Sequence, residues 1–283
     1  MITFAPVQFD PRSLDRYESL FLACFPKSRK FAPTVLNWLY LQNPDGHAIG
    51  FDAFEGDELA AHYVCIPALA RINGRPEKTL LSLNTATHPR HQGKGLFTRL
   101  AEMTYQTAAE QGYCNVYGVA NANSTPGFVR KLGFQLVQPL DAMAGLGSLS
   151  IDFDVAVRNA QFERVWTQDS LRWRCGNPFN KIAGVREPGR VAFYANALGP
   201  LLTAYAELSG DAWCEYEHGR RVSPLHLFLG LIPANSSHFS GYAAIPKRLR
   251  PSPLNMIFRP LTNSASLLEP AHIFFSFLDF DAY

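Results

Sequence analysis

The chain has 283 residues, with 26 Lys and Arg against 24 Asp and Glu, for a formal net charge of +2. That length can bury a sizeable core in one large domain or two ordinary ones. The near-balanced charge supplies no broad basic face, which argues against a nucleic-acid or membrane-surface partner and points to a small molecule. The start, Met1 to Phe25, lacks the basic opening and unbroken apolar core of a secretory signal. No apolar run approaches the ~20 residues of a membrane span, so a cytoplasmic protein is expected. The five cysteines (Cys24, Cys65, Cys114, Cys175, Cys214) are odd in number, scattered and free of C-x-x-C spacing. That argues against a disulfide framework and a zinc knuckle, and no metal is expected.

The first readable unit is "FDAFEGDELAAHYVCIPALARINGRPEKTLLSLNTAT", three extended runs separated by "EGD" at Glu55 to Asp57 and "NG" at Asn73 and Gly74. Both separators tolerate the positive φ of tight hairpins, which predicts an antiparallel three-stranded meander. In the third run Leu81, Leu83, Thr85 and Thr87 share one face, while Ser82, Asn84 and Ala86 share the other. After Pro89 the period turns helical, with Leu96, Leu100 and Met103 beside Phe97, Ala101, Tyr105 and Ala108, until Gly112 stops it. Next, "YCNVYGVAN" predicts a buried strand, "STPGFVRKLGF" a short helix with Ser124 near its N-cap and Pro126 in its first turn, and "FQLVQ" a further strand.

The second half echoes the first. Setting Leu36 over Leu171 places Trp38 on Trp173 and, after a one-residue gap, Asn43-Pro44 on Asn177-Pro178. Each copy continues into a hairpin-like pair with a Gly turn, Gly56 in one and Gly189 in the other. The alternatives are a duplicated architecture and chance similarity of two helix-to-strand junctions. The echo favours duplication and sets units at residues 1–148 and 149–283. "GPLLTAYAEL" reads as a helix, and no later segment repeats the glycine loop described next. The basic cluster Lys247, Arg248 and Arg250 reads as a solvated loop or an anion contact.

The junction "THPRHQGKGLF" feeds a strand into a helix through two glycines. Such a loop aims backbone N–H groups and the positive end of the helix dipole at one point, which suits a pyrophosphate. Lys94, Arg90 and His91 would raise the potential there. A dinucleotide fingerprint should follow the first strand of a parallel sheet, and a P-loop requires G-x-x-x-x-G-K-[ST]; neither condition is met.

Residues from about Phe51 to Val137 resemble the core of the GNAT superfamily of acetyl-CoA-dependent N-acyltransferases. "RHQGKG" matches the [QR]-x-x-G-x-[GA] signature in full through Arg90, Gly93 and Gly95, and Asn121 with "FVRKLGF" matches a second signature in the right order. The chain is also similar to a branch with a "W-x-Y...NP" segment and a long C-terminal half, associated with bacterial surface-polysaccharide or other specialised biosynthesis. The resemblance implies an α/β (α+β) fold with a mixed, mostly antiparallel sheet flanked by helices, here followed by a second, degenerate half that completes the acceptor site.

It implies acetyl-CoA or another acyl-CoA as co-substrate, held by Thr85, Ala86, Thr87, Arg90, His91, Gln92, Gly93, Lys94, Gly95, Leu96, Phe97, Asn121 and Phe128. The acceptor would be the amine of a small molecule, an amino sugar among the candidates, lined by Trp38 and Tyr40 unless these aromatics are core. Val129 stands where many relatives place the Tyr that protonates the departing thiolate. Tyr117 is the substitute acid or a core tyrosine, and His62 the general base or a hydrogen-bonded strand histidine. Asp279, Asp281 and the carboxylate of Tyr283 could bring a base from the C-terminus, or form a surface tail. The alternative to an enzyme is an acyl-CoA sensor or interaction module, and a homodimer is compatible with either.

Overall fold

The computed structural model describes residues 1–199, 201–212, 223–262 and 267–281. Cys214 and the terminal carboxylate of Tyr283 lie outside them. β1 (Ile2–Pro6) precedes α1 (Pro11–Cys24), whose start is capped by Asp10 accepting from the Ser13 N–H, and α2 (Pro33–Leu41). The meander follows as β2 (Ile49–Glu55), β3 (Glu58–Ile72) and β4 (Arg75–Thr87), then α3 (Leu96–Glu110), β5 (Asn115–Ala120), α4 (Thr125–Leu132) and β6 (Gln135–Pro139). The hairpin glycines behave as their chemistry requires, with φ +60° at Gly56 and +78° at Gly74.

The rest of the chain runs β7 (Asp141–Gly145), α5 (Phe153–Asn159), β8 (Phe162–Arg164), α6 (Gln168–Cys175), β9 (Ala183–Glu187) and β10 (Arg190–Leu198). β11 (Leu202–Ser209), β12 (His226–Gly230), β13 (Tyr242–Ala244), β14 (Asn255–Pro260) and β15 (Ile273–Phe274) complete it. Two expectations require correction. "LLTAYAEL" is strand β11 and not a helix: it pairs with β10 along its length and with β12 at Thr203 and Ala204, so tertiary pairing overrides its Leu- and Ala-rich composition. The alternation of β4 does not run unbroken either. Between the pairs His62–Ala86 and Val64–Leu83, residues Asn84 and Thr85 oppose Tyr63 alone, and Asn84 takes φ +46°. This bulge turns Ala86 to the same core as Leu81 and Leu83.

The strands form two mixed, mostly antiparallel sheets. One has the order β1-β2-β3-β4-β5-β14-β6, with β8 and β15 branching from β3, and the other β9-β10-β11-β12-β7-β13. β4 and β5 are parallel, as are β11 and β12. From β2 or β9 onward the two sheets follow one plan, down to an antiparallel strand beyond the parallel pair: β14 beside β5, and β7 beside β12. That strand is exchanged, since β7 lies before residue 148 and pairs in the second sheet, while β14 lies after it and pairs in the first.

A shared core packs the halves together. Trp38 and Trp173 stack with ring centroids 4.8 Å apart, and each indole N–H donates to the other's carbonyl, at 3.2 Å from Trp38 and 3.1 Å from Trp173. Such a reciprocal pair is what two equivalent helices, α2 and α6, make across a local two-fold relation. Asn43 and Asn177 also act alike, each Oδ1 accepting a backbone N–H two residues on.

Candidate active site

β4 and β5 pair only from Thr79–Asn115 to Ser82–Gly118. Beyond Ser82 they part, leaving the β5-facing edge of β4 without a strand partner, and a cavity of about 570 Å³ opens in the gap. Its walls include Ser82, Leu83, Asn84 and Thr85 of β4, Val119 of β5, Asn121, and Gly127 and Phe128 of α4. Phe97 joins them from the first turn of α3, with its ring 5.1 Å from that of Phe128. Gly127 lets α4 approach this ring closely, since a Cβ there would meet the Phe97 ring at 3.0 Å and push it aside.

The loop that starts α3 stands at the protein surface. Gly93 and Gly95 adopt φ +78° and +72°, a region side chains disfavour, and a Cβ on either would enter open space. Gly95 is the N-cap and offers no side-chain cap. Among the described residues the N–H groups of Gly95, Leu96, Phe97 and Thr98 have no hydrogen-bond partner. Four unsatisfied donors at the positive end of a 15-residue helix fit an anion of phosphate type. The basic residues are less free than the sequence implies. Arg90 is hydrogen-bonded to Glu58, which lowers the Glu58 pKa, and Lys94 lies 3.6 Å from Glu55 and 3.1 Å from His91 Nδ1. Gln92 is exposed, Leu96 is buried, and His91 is 3% exposed.

Several expected residues lie elsewhere. Asn121 sits at the cavity rim, but its Oδ1 accepts from the N–H groups of Asn123 and Ser124 at 2.9 and 3.0 Å, so it shapes the turn into α4. Ala86 is buried, and the Thr87 carbonyl accepts from the Cys24 thiol at 3.4 Å, so only Thr85 of that trio reaches the wall. His62 is fully buried, with Nδ1 2.6 Å from Asp52 Oδ1 and Nε2 3.2 Å from the Tyr40 hydroxyl. Tyr40 accepts from Asn84 Nδ2 at 2.9 Å. His62 and Tyr40 therefore brace the Asn84 bulge from behind, and Trp38 stacks on Trp173. Tyr117 shares its face of β5 with Val119 but lies deeper, donating to the Asp279 carbonyl at 3.0 Å, and burial raises its pKa. None of these four lines the cavity. Neither does Val129, whose neighbours Gly127 and Phe128 do.

The remaining wall comes from two segments that sequence reasoning named weakly or missed. Phe21, Phe25, Ser28, Lys30 and Phe31 contribute from the end of α1 and the turn after it, and Phe280 and Asp281 arrive from the C-terminus. Phe21 and Phe31 stack at 4.1 Å, and Lys30 Nζ lies 2.7 Å from Asp281 Oδ2. Burial would raise the Asp281 pKa, but the Lys30 ammonium overrides it and holds the carboxyl below its ordinary value. Arg174 of α6 fixes this segment: only 3% exposed, it donates to the carbonyls of Leu278, Phe277 and Phe280 at 3.0, 3.2 and 2.6 Å. Asp279 stays beneath, accepting from Trp166 Nε1 and the Ser276 N–H, and burial raises its pKa. At the cavity floor Ser82 Oγ is 2.8 Å from the Tyr63 hydroxyl, itself 2.5 Å from that of Tyr105.

Residues 11–137 match the acetyltransferase (GNAT) domain. Three solved structures share the fold over 92% of this chain and 73–74% of theirs. They are a probable N-acyltransferase of Enterococcus faecalis V583 (TM-score 0.61, 10% identity), a GCN5-related N-acetyltransferase of Anabaena variabilis (0.60, 11%) and Eis1 of Mycobacterium abscessus (0.59, 11%). No curated protein matches the sequence. The GNAT match ends before β7, so the second sheet and the C-terminal wall of the cavity lie outside it.

Proposed function

We propose that the protein is an acyl-CoA-dependent N-acyltransferase acting on a small amine, with acetyl as the default acyl group. The carrying observation is the continuity of parts: an uncapped helix start with four free N–H groups leads, through Phe97, into the cavity where β4 has lost its partner. Acyl-CoA would bring the thioester, its pyrophosphate at Gly93 to Thr98 and its pantetheine arm along the open edge of β4. The backbone near Asn84 and Thr85 is then the group that polarises the thioester carbonyl, and binding both substrates in line supplies most of the acceleration.

In this reading the amine adds to the thioester carbon, the carbon–sulfur bond breaks, the nitrogen loses a proton and the thiolate gains one. Asp281 carries the only carboxylate in the cavity wall among the described residues, and a cationic amine that takes the place of Lys30 beside it would be oriented there. The Ser82–Tyr63–Tyr105 hydroxyl chain is the candidate path for a proton at the cavity floor. The aromatic walls of Phe21, Phe25, Phe31 and Phe280 favour an acceptor with an apolar or ring face, so amino sugars are the acceptors to try first. A role in surface-polysaccharide or other specialised biosynthesis rests on the sequence resemblance alone.

The test is a thiol-release assay with acetyl-CoA and a panel of amines, on the wild type and Asp281→Asn. The expected result is acceptor-dependent release in the wild type and a roughly tenfold drop in kcat/KM for cationic amines in the variant, about the 1.4 kcal/mol of one charge-assisted contact. Acyl-CoA binding without turnover on any amine of the panel would favour a sensor or an acceptor outside the panel.

A further inference from the structure

A second cavity, of about 460 Å³, shares no lining residue with the first and is walled by Arg12, Asp15, Arg16, Asp57, Glu58 and His88 among others. Glu58, at the start of β3, and His88, at the end of β4, stand there next to His91 of the phosphate loop. Each of the three offers one donor atom within 4.8 Å of the others'. His91 is 3% exposed, yet its Nε2 has no hydrogen-bond partner and lies 3.9 Å from Glu58 Oε1. A buried ring nitrogen without a partner and a carboxylate 3.9 Å from it are two donors that one ion can join.

We propose that Glu58, His88 and His91 bind one divalent transition-metal ion, with zinc the first choice. Two imidazoles and one carboxylate form a three-ligand zinc set that leaves a fourth position for water. In a tetrahedral site with bonds of about 2.0–2.1 Å the donors stand ~3.4 Å apart, so the present spacing must close by about 1.4 Å at most. Glu58 and His88 are half-exposed and can make that movement, while His91 is held by the loop.

The contacts that must yield are exposed ones. Arg90, with 69% of its side chain exposed, would leave Glu58, its backbone N–H would leave His88 Nδ1, to which it donates at 3.2 Å, and Lys94, 44% exposed, would leave His91 Nδ1. With Lys94 donating to Nδ1, the ring proton sits on Nε2; on binding it moves to Nδ1, where Glu55 Oε2, now 3.7 Å away, accepts it. No net proton is lost from the imidazole, and the carboxylate behind it fixes the binding tautomer.

The experiment uses the full chain, stripped with chelator, titrated with zinc chloride by calorimetry and with cobalt(II) chloride by visible absorption. The expected result is one zinc per chain with micromolar affinity, cobalt d–d bands that zinc abolishes, and at least a 30-fold loss of affinity in both Glu58→Gln and His88→Gln. Each substitution falls on a half-exposed side chain, and a melting curve verifies the fold. Absence of saturable binding below ~100 µM zinc in the wild type overturns the proposal. Affinity unchanged in both variants also overturns it, and places the ion on other groups of the chain.

Discussion

From β2 to β5 in the first sheet and from β9 to β12 in the second, the chain lays down a hairpin, an antiparallel neighbour and a parallel neighbour in the same order. The halves differ in what joins the last two strands. Twenty-seven residues separate Thr87 from Asn115, enough for the glycine loop and a 15-residue helix, whereas sixteen separate Ser209 from His226. One plan thus yields a phosphate-type loop in the first half and none among the described residues of the second. The second half instead lends its C-terminal segment to the first half's cavity, held there by Arg174. A repeated scaffold can stay intact while a glycine loop stands in one copy, because backbone pairing fixes the sheet and the crossover decides what it presents.

The sharpest way to break this comparison is at the join between halves. Trp38→Ala and Trp173→Ala should each cost about 3–5 kcal/mol by urea denaturation, because each removes a large buried side chain and orphans a carbonyl acceptor. The double variant should fall short of their sum by about 1 kcal/mol. Unequal costs would show that the pair does not serve the halves alike.

Next come the two glycine turns. Gly95→Glu places a carboxylate where the phosphate would sit and a side chain at φ +72°, so acyl-CoA affinity by calorimetry should fall at least ~100-fold, about 2.7 kcal/mol. Gly189→Ala in the β9–β10 hairpin, at φ +75° with open space around it, should cost roughly 1–2 kcal/mol of stability and leave that affinity unchanged.

The smallest effect is acidic. Asp281 has its pKa lowered in the folded state, so its ion pair with Lys30 stabilises above the unfolded carboxyl value near ~4 and is lost as pH falls through the lower folded value. With Lys30 36% exposed, that is about 0.5 kcal/mol. Denaturation of wild type and Asp281→Asn should differ by that amount at pH 7 and converge toward pH 3; a gap that widens in acid would reverse the assignment.

Local chemistry made much of the first half legible. Asn73-Gly74, Gly112 and Gly133 end elements because their backbone conformations favour residues without crowding at Cβ, and Gly93 and Gly95 lie where their spacing placed them. The aromatic and polar candidates His62, Tyr117, Trp38 and Tyr40 fared differently. Residue type names what a side chain can do, but burial decides where it does it, and each of these is held in a buried hydrogen bond and does not line the cavity. Lys30 and Phe280 carry no motif, and Asp281 was one of several terminal carboxylates.

The sequence by itself determined the meander, the glycine-led helix and the echo of Trp38 in Trp173, because turn conformations and side-chain periodicity act over a few residues. Only the tertiary structure decided that β7 and β14 exchange sheets, that "LLTAYAEL" is a strand, that Asn84 makes a bulge and that Asp281 reaches a cavity begun 200 residues earlier. Those outcomes depend on which partners compete for unsatisfied backbone edges and buried surface, and distant segments settle that competition only when the chain has folded.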